Sequence, residues 1–379
     1  MNSIEMNRGL IFQPHRKESG MFKLVQLSFC TLAVLLFSLV VSALAQTPLA
    51  PTTRPSSVYG FTSNVPQGIG VAFVNLDSDP RPEMVLMDYE PSRVTHDSWT
   101  KVFRYKVGWN VSTSGVAASW GSMITVPGID LEAQGAGIAF VNLDSDPRPD
   151  MILMAYIDVS GTKYFRYKIG WNVSTSGVAS TWSSVYQVAA VSAEAQGAGV
   201  AFVNLDGDPH PEMVLMAYND VSGTKVFRYK IGWNVGTNGV AASWGSTIQV
   251  PGVGAGAYGA GIAFVNLDAN PRPEIILMAY DNSTGSKNLR YKIGWNAGTT
   301  GAATGWSPVY QVAGISPEFR TEGAAMAFVN LDSDPRQEMV MTAYERQYQE
   351  GFQGFPFFDF IIGRNINTGG IAASWDTVR

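Results

Sequence analysis

Cysteine is almost missing from this chain. The one example, Cys30, sits inside an apolar run near the N-terminus, so no intramolecular disulfide can form and a packed core has to supply the stability. Histidine is nearly as scarce. His15, His96 and His210 occupy unrelated positions and form no ligand or catalytic set. No Gly-x-Ser-x-Gly, no Cys-His pair and no carboxylate dyad outside a repeated loop is present, which removes the common nucleophile and acid-base signatures. On this ground the chain reads as not an enzyme. Charge is sparse too, at 15% of 379 residues. Against that stand 39 Gly, 15 Tyr, 19 Phe and 10 Trp, a composition of many short strands and turns rather than helices.

The N-terminus reads as a targeting segment. Lys23 precedes an apolar run from Leu24 to Leu44 that ends in Ala43-Leu44-Ala45, the small-x-small pattern of a signal-peptidase site. Cleavage is expected after Ala45, with residues 1–20 as an extended positive region and Met21 as an alternative start. The same run is long enough for an uncleaved membrane anchor, but the linker that follows, residues 46–55, favours cleavage and a secreted or cell-surface protein. Loss of residues 1–45 takes away four basic and two acidic residues, leaving 22 against 29 and a net charge of −7. Such a surface disfavours nucleic acid and anionic membranes as partners.

Residues 56–379 are organised around one stretch written five times. Ala72–Tyr89, Ala139–Tyr156, Ala201–Tyr218, Ala263–Tyr280 and Ala327–Tyr344 each place an acidic turn between two apolar runs. The loop asparagines Asn75, Asn142, Asn204, Asn266 and Asn330 are 67, 62, 62 and 64 residues apart, the spacing of a repeat architecture. In the third repeat four strands are expected, at 199–205, 212–218, 226–235 and 246–250. The second is nearly all apolar, as in a strand covered on both faces. The third alternates, with Phe227, Tyr229, Ile231 and Trp233 on one face. Four antiparallel strands per period make one propeller blade. The prediction is therefore an all-β, five-bladed β-propeller. The last repeat ends at Trp375-Asp-Thr-Val-Arg379, and the piece it lacks stands at the other end as Ser56-Ser57-Val58-Tyr59. An N-terminal strand is thus expected to close the ring and remove exposed edges.

Numbered from its asparagine, each loop carries side-chain oxygens at positions 1, 3, 5 and 9. These are Asn75, Asp77, Asp79 and Glu83; Asn142, Asp144, Asp146 and Asp150; Asn204, Asp206, Asp208 and Glu212; Asn266, Asp268, Asn270 and Glu274; and Asn330, Asp332, Asp334 and Glu338. Odd spacing in a compact loop turns oxygens toward one centre, the logic of calcium loops. The other reading is an Asx-type turn, with Asp side chains accepting from backbone N–H groups and proline stiffening the hairpin. With their Gly-Ala-Gly-Ile-Ala-Phe-like lead-in strand, the five loops resemble the FG-GAP and VCBS repeat family of integrin α-chain propellers and secreted bacterial proteins. The resemblance implies a propeller with calcium held in each loop. Position 6 departs from the family's glycine, being Pro80, Pro147, Pro209, Pro271 and Pro335. Asn270 makes the fourth loop the weakest predicted site.

Gly-Trp-Asn recurs around Trp109, Trp171, Trp233 and Trp295, with Arg364 in the fifth repeat. A repeated Trp packs between blades, or stacks on a sugar ring. Related fungal propeller lectins bind sugars between blades, so the resemblance makes these four the candidate ligand contacts. The Arg-Tyr-Lys triplets at 104–106, 166–168, 228–230 and 290–292 are expected to be exposed and paired with acids. Gly254, Gly256 and Gly259 spell a dinucleotide fingerprint but precede a strand instead of opening a helix, so no nucleotide is expected. Asn110, Asn172 and Asn282 fit the glycosylation sequon. Taken together the sequence reads as a non-enzymatic, calcium-stabilised module for adhesion to, or lectin-like binding of, a glycan or protein. The alternatives are an enzyme with a shallow site in the central channel and a purely structural surface component.

Overall fold

In a computed structural model, residues 66–377 are described apart from 96–97, 130–131, 191–193, 222, 255–256, 282–287, 314–319 and 350–351. They build five antiparallel sheets with no helix among the described residues. The first blade is β1 (Gly68–Val74), β2 (Glu83–Thr95), β3 (Ser98–Trp109), β4 (Ser119–Trp120) and β5 (Ile124–Pro127). The second is β6 (Ala133–Val141), β7 (Asp150–Val159), β8 (Thr162–Trp171), β9 (Thr181–Trp182) and β10 (Tyr186–Ala189). The third is β11 (Ala195–Val203), β12 (Glu212–Val221), β13 (Thr224–Val235), β14 (Ala241–Trp244) and β15 (Ile248–Pro251). The fourth is β16 (Ala257–Val265), β17 (Glu274–Asp281), β18 (Asn288–Trp295), β19 (Gly305–Trp306) and β20 (Tyr310–Ala313). The fifth is β21 (Arg320–Val329), β22 (Glu338–Gln349), β23 (Phe352–Arg364) and β24 (Ser374–Thr377).

The fourth strand of blades one to four is broken. Its two pieces pair with the same third strand, as β14 and β15 do with β13, where the sequence reading expected one run at 246–250. A short, interrupted outer strand offers little edge for another chain to extend. In blade five the outer strand is β24, and the segment expected to complete it, Ser56–Tyr59, lies outside the described residues.

The blades are held by apolar packing between neighbours. Met213 and Leu215 of β12 face blade two while Val214 and Met216 face blade four, which is why this strand is apolar on both faces. The fifth cluster joins Ile69, Val71 and Leu86 of blade one to Val340, Phe358 and Ile362 of blade five, so the ring closes.

The innermost strands meet too closely for side chains. A Cβ on Gly68, Gly135, Gly197 or Gly259 would lie 2.2–2.4 Å from the main-chain nitrogen of the neighbouring blade's alanine. Five blades leave an axis this tight because fewer strands share the circumference. Among the described residues, two cavities on it measure about 30 and about 20 Å³, room for roughly one water each.

Candidate functional site

Antiparallel order puts the acidic loops and the Gly-Trp-Asn turns at one end of the ring. The β2–β3 type hairpins and the blade connections lie at the other. The first end repeats from blade to blade, and its chemistry is a latch. Asp150, buried, accepts the main-chain N–H of Leu143 at 3.0 Å and that of Asn172 at 2.8 Å. The carboxylate so ties its own loop to the turn after the third strand, where Asn172 holds φ 53° and Val173 N–H adds a 2.8 Å bond to Pro149 O. Glu83, Glu212, Glu274 and Glu338 accept the corresponding leucine N–H at 2.7–2.8 Å. Burial pushes the carboxyls of Glu83, Asp150, Glu212 and Glu274 above their ordinary values.

The remaining loop oxygens are engaged by donors of the loop itself. Asp77 Oδ1 accepts Asp79 N–H at 2.7 Å, and Asn75 Nδ2 donates to Asp79 O at 2.8 Å. Asp79 is gripped by Arg81 through Nε at 3.0 Å and Nη2 at 2.9 Å. The same bonds recur around Asp144, Asp146 and Arg148 in blade two, and around Asp332, Asp334 and Arg336 in blade five. Among the described residues no group of three or more Asp, Glu, His or Cys is placed to hold a metal ion. In this arrangement arginine engages the carboxylates of Asp79, Asp146 and Asp334 and a leucine N–H engages one oxygen of each position-9 carboxylate, while Glu83 Oε1 and Glu212 Oε1 have no hydrogen-bond partner. The arginine at position 7 is the residue that sequence reasoning missed, although Asp-Pro-Arg was visible in three loops.

The four tryptophans are half-buried, each packed into the cluster between its own blade and the next. The triplets beside them stitch blades together. Tyr105, Tyr167, Tyr229 and Tyr291 donate to Gly177, Gly239, Gly301 and Gly370 carbonyls of the next blade at 2.9–3.1 Å. Lys168 and Lys230 reach back to Pro127 O and Ala189 O, both at 3.1 Å. Arg166 and Arg228 bond the amides of Gln187 and Gln249, which corrects the expectation of acidic partners in those blades. The reason is register: Gln187 lies directly across from Arg166 on the edge strand.

The seam between blades five and one breaks every one of these patterns. Phe360 stands where the others have tyrosine and has no hydroxyl to donate. Arg364 replaces tryptophan, bonding Thr113 O at 2.6 Å and Asp376 at 2.8 Å. On blade one, Arg104 is buried between Asp88 at 2.6 Å and Glu90 at 2.5 Å. Burial pushes the Asp88 carboxyl up to about 7; Arg104 pulls it down, and Glu90 adds to the rise. A folded value above the unfolded one means that the unfolded chain releases this proton first. Stability is therefore lost as pH rises from about 4 to about 7. Arg81, Arg148 and Arg336 hold Asp79, Asp146 and Asp334 at about 2, a contribution lost only as pH falls below the usual carboxylate range. The melting temperature is expected to peak near pH 5 and to lie several degrees lower at pH 8. Asp88→Asn should flatten that decline; thermal melts across this range with an unaltered slope in the variant would count against it.

At the other end, the hairpins differ from blade to blade. β2 and β22 run 13 and 12 residues, against 10 for β7 and β12, an extension of roughly 7–10 Å at the usual rise. The two long hairpins belong to blades one and five, which are neighbours at the seam. Arg93 and Trp99 are on the first, and Gln347, Tyr348, Gln349, Phe352 and Gln353 on the second.

No family model matches the chain, and no curated protein matches it. Among solved structures it is similar to an exo-β-1,3-galactanase from Phanerochaete chrysosporium, in complex with β-1,3-galactotriose. The identity is 11% and the TM-score 0.44, over 86% of this chain and 70% of that one. It is also similar to a subtype N11 neuraminidase-like protein of A/flat-faced bat/Peru/033/2010, at 9% identity and a TM-score of 0.34, over 83% and 96%. These likenesses concern fold, and no substrate or site residue passes from them to this chain. The expectation that the chain is not an enzyme is withdrawn. Sequence motifs could not exclude catalysis, because a propeller assembles its surface from loops far apart in the chain.

Proposed function

We propose that this chain is exported and works as a propeller-shaped binding module for a neutral glycan. The ligand is held by the long hairpins of blades one and five, the two blades that meet at the seam. The observation that carries this reading is the contrast between the two ends of the ring. One end is repeated and bonded into latches, whereas the other carries unequal hairpins whose extensions follow no repeat. Residues that differ between repeats are not required by the blade, so they are free to serve recognition. Aromatic rings that cover the apolar face of a pyranose and amides that bond its hydroxyls are the groups such a site uses. By sequence, residues of both kinds, Trp99, Tyr348, Phe352, Gln347 and Gln353, fall on these two hairpins. A mature charge of −7 favours an uncharged ligand over an anionic one.

A glycan array tests this with three proteins: the wild type, Trp99→Ala/Tyr348→Ala, and Trp171→Ala/Trp233→Ala. The first pair should lose binding by about tenfold or more, as for central aromatic contacts, and the second should keep it. Selective loss in the second pair would move the site to the clefts between blades. An array on which the wild type binds nothing would end the glycan reading in favour of a protein ligand.

A further inference from the structure

We infer that arginine takes the place of calcium in the acidic loops of blades one, two and five, closing each with an internal ion pair, and that the loops need no metal. Three observations lead there. First, the position-5 carboxylate is held on both oxygens by the guanidinium two residues on. The Arg81, Arg148 and Arg336 Nη2 atoms lie 2.9, 2.9 and 2.8 Å from Asp79, Asp146 and Asp334, and a main-chain N–H from the same arginine adds a bond of 2.9–3.0 Å. A planar fork meeting a carboxylate edge to edge supplies charge and two donors at once. A calcium ion would need those same oxygens.

Second, a basic residue stands at position 7 of every loop, and it pairs with position 5 wherever that position is an acid. In the third blade, Asp208 has His210 in the arginine's place, with Nδ1 at 2.8 Å and the main-chain N–H at 3.0 Å. In the fourth, position 5 is the uncharged Asn270, which needs no counter-charge. It keeps the main-chain bond from Arg272 at 3.0 Å.

Third, the proline between acid and base explains a departure from metal loops. Glycine at that point lets a loop wrap an ion. Proline instead fixes φ near −65° and presents the next side chain in one direction, as a guanidinium folded back on its neighbour requires. The neighbouring positions are bonded within the loop as well: Asp77 Oδ1 accepts Asp79 N–H, Glu83 Oε2 accepts Leu76 N–H, and the Asn75 amide donates to Asp79 O.

Calorimetric melting in millimolar EGTA and in millimolar calcium, with metal content by elemental analysis, tests the inference on the purified protein. The wild type should carry no stoichiometric calcium, and its melting temperature should agree within about one degree between the two buffers, since an ion that does not bind cannot shift it. Bound calcium, or a fall of several degrees on chelation, would overturn the inference. The variant Arg81→Ala/Arg148→Ala/Arg336→Ala should melt several degrees lower in EGTA, and calcium should restore at least half of that loss. No loss, or a loss untouched by calcium, would equally overturn it. The single variant Arg148→Ala, in the blade with Asp144, Asp146 and Asp150, keeps the second arm readable should the triple variant fail to fold.

Discussion

Replacing Gly259 with alanine is expected to leave little or no folded protein, whereas the same change at Gly323 should be tolerated. Gly259 holds φ +94°, and a Cβ built on it lies 2.2 Å from Ala324 N. The backbone conformation alone costs an L-residue about 1–2 kcal/mol. The clash is worse, because a main-chain nitrogen inside a sheet cannot move aside as a side chain can. Relief would require two inner strands to separate, and with five blades on so narrow an axis that opens the whole ring. The total should exceed about 4 kcal/mol, the range of changes that unfold marginal proteins. At Gly323 the nearest atom is Ile69 Cγ1 at 3.1 Å, a side chain that can shift by a few tenths of an ångström. Soluble yield and denaturant titration of the two variants decide the matter. A Gly259→Ala protein as stable as the wild type would show that the blades are not packed this closely.

Asp150→Ala should be the second severe change, and Asp150→Asn a mild one. The carboxylate accepts two main-chain N–H groups, from Leu143 and Asn172, in a buried position. Alanine leaves both donors without an acceptor, at about 1–3 kcal/mol for each buried group, and detaches the acidic loop from the turn after β8. Asparagine keeps an acceptor oxygen in the same place and removes a charge whose burial already lifts the carboxyl above its ordinary value. The expected loss is about 2–5 kcal/mol for alanine and about 1 kcal/mol or less for asparagine. Equal losses in urea titrations would mean that the charge, and not the pair of hydrogen bonds, is what the site requires.

Much of the fold could be read from the chain because the repeat acts as its own alignment. Five copies of one strand-loop-strand unit, an apolar run at β12 and strict alternation at β13 left four strands per blade as the economical reading. The break in the fourth strand escaped because Gly245-Ser246-Thr247, between β14 and β15, looks like any short polar strand. The latch was half visible. Asp150 and its four counterparts stood out as acids, but their partners, the N–H groups of Leu143 and Asn172, carry no side-chain signature and lie seven and 22 residues away. The seam was present in the sequence as deviations, at Phe360, Arg364 and Asp88. Nothing in a linear reading says that these three face one interface.

AFVNLDGDPHPEMVLMAY and its four relatives therefore determined by themselves the class, the number of blades and the order of strands, because periodicity and apolar patterning are local properties. Which groups the acidic-loop oxygens bond was decided only by the tertiary structure. Oxygens at alternate positions are compatible with an ion at their centre or with donors around them, and composition cannot tell these apart. The choice turns on where Arg81, Arg148 and Arg336 point, and on which N–H groups a neighbouring turn brings within 3 Å. Those are properties of a folded blade, in which residues distant in the chain become the nearest neighbours.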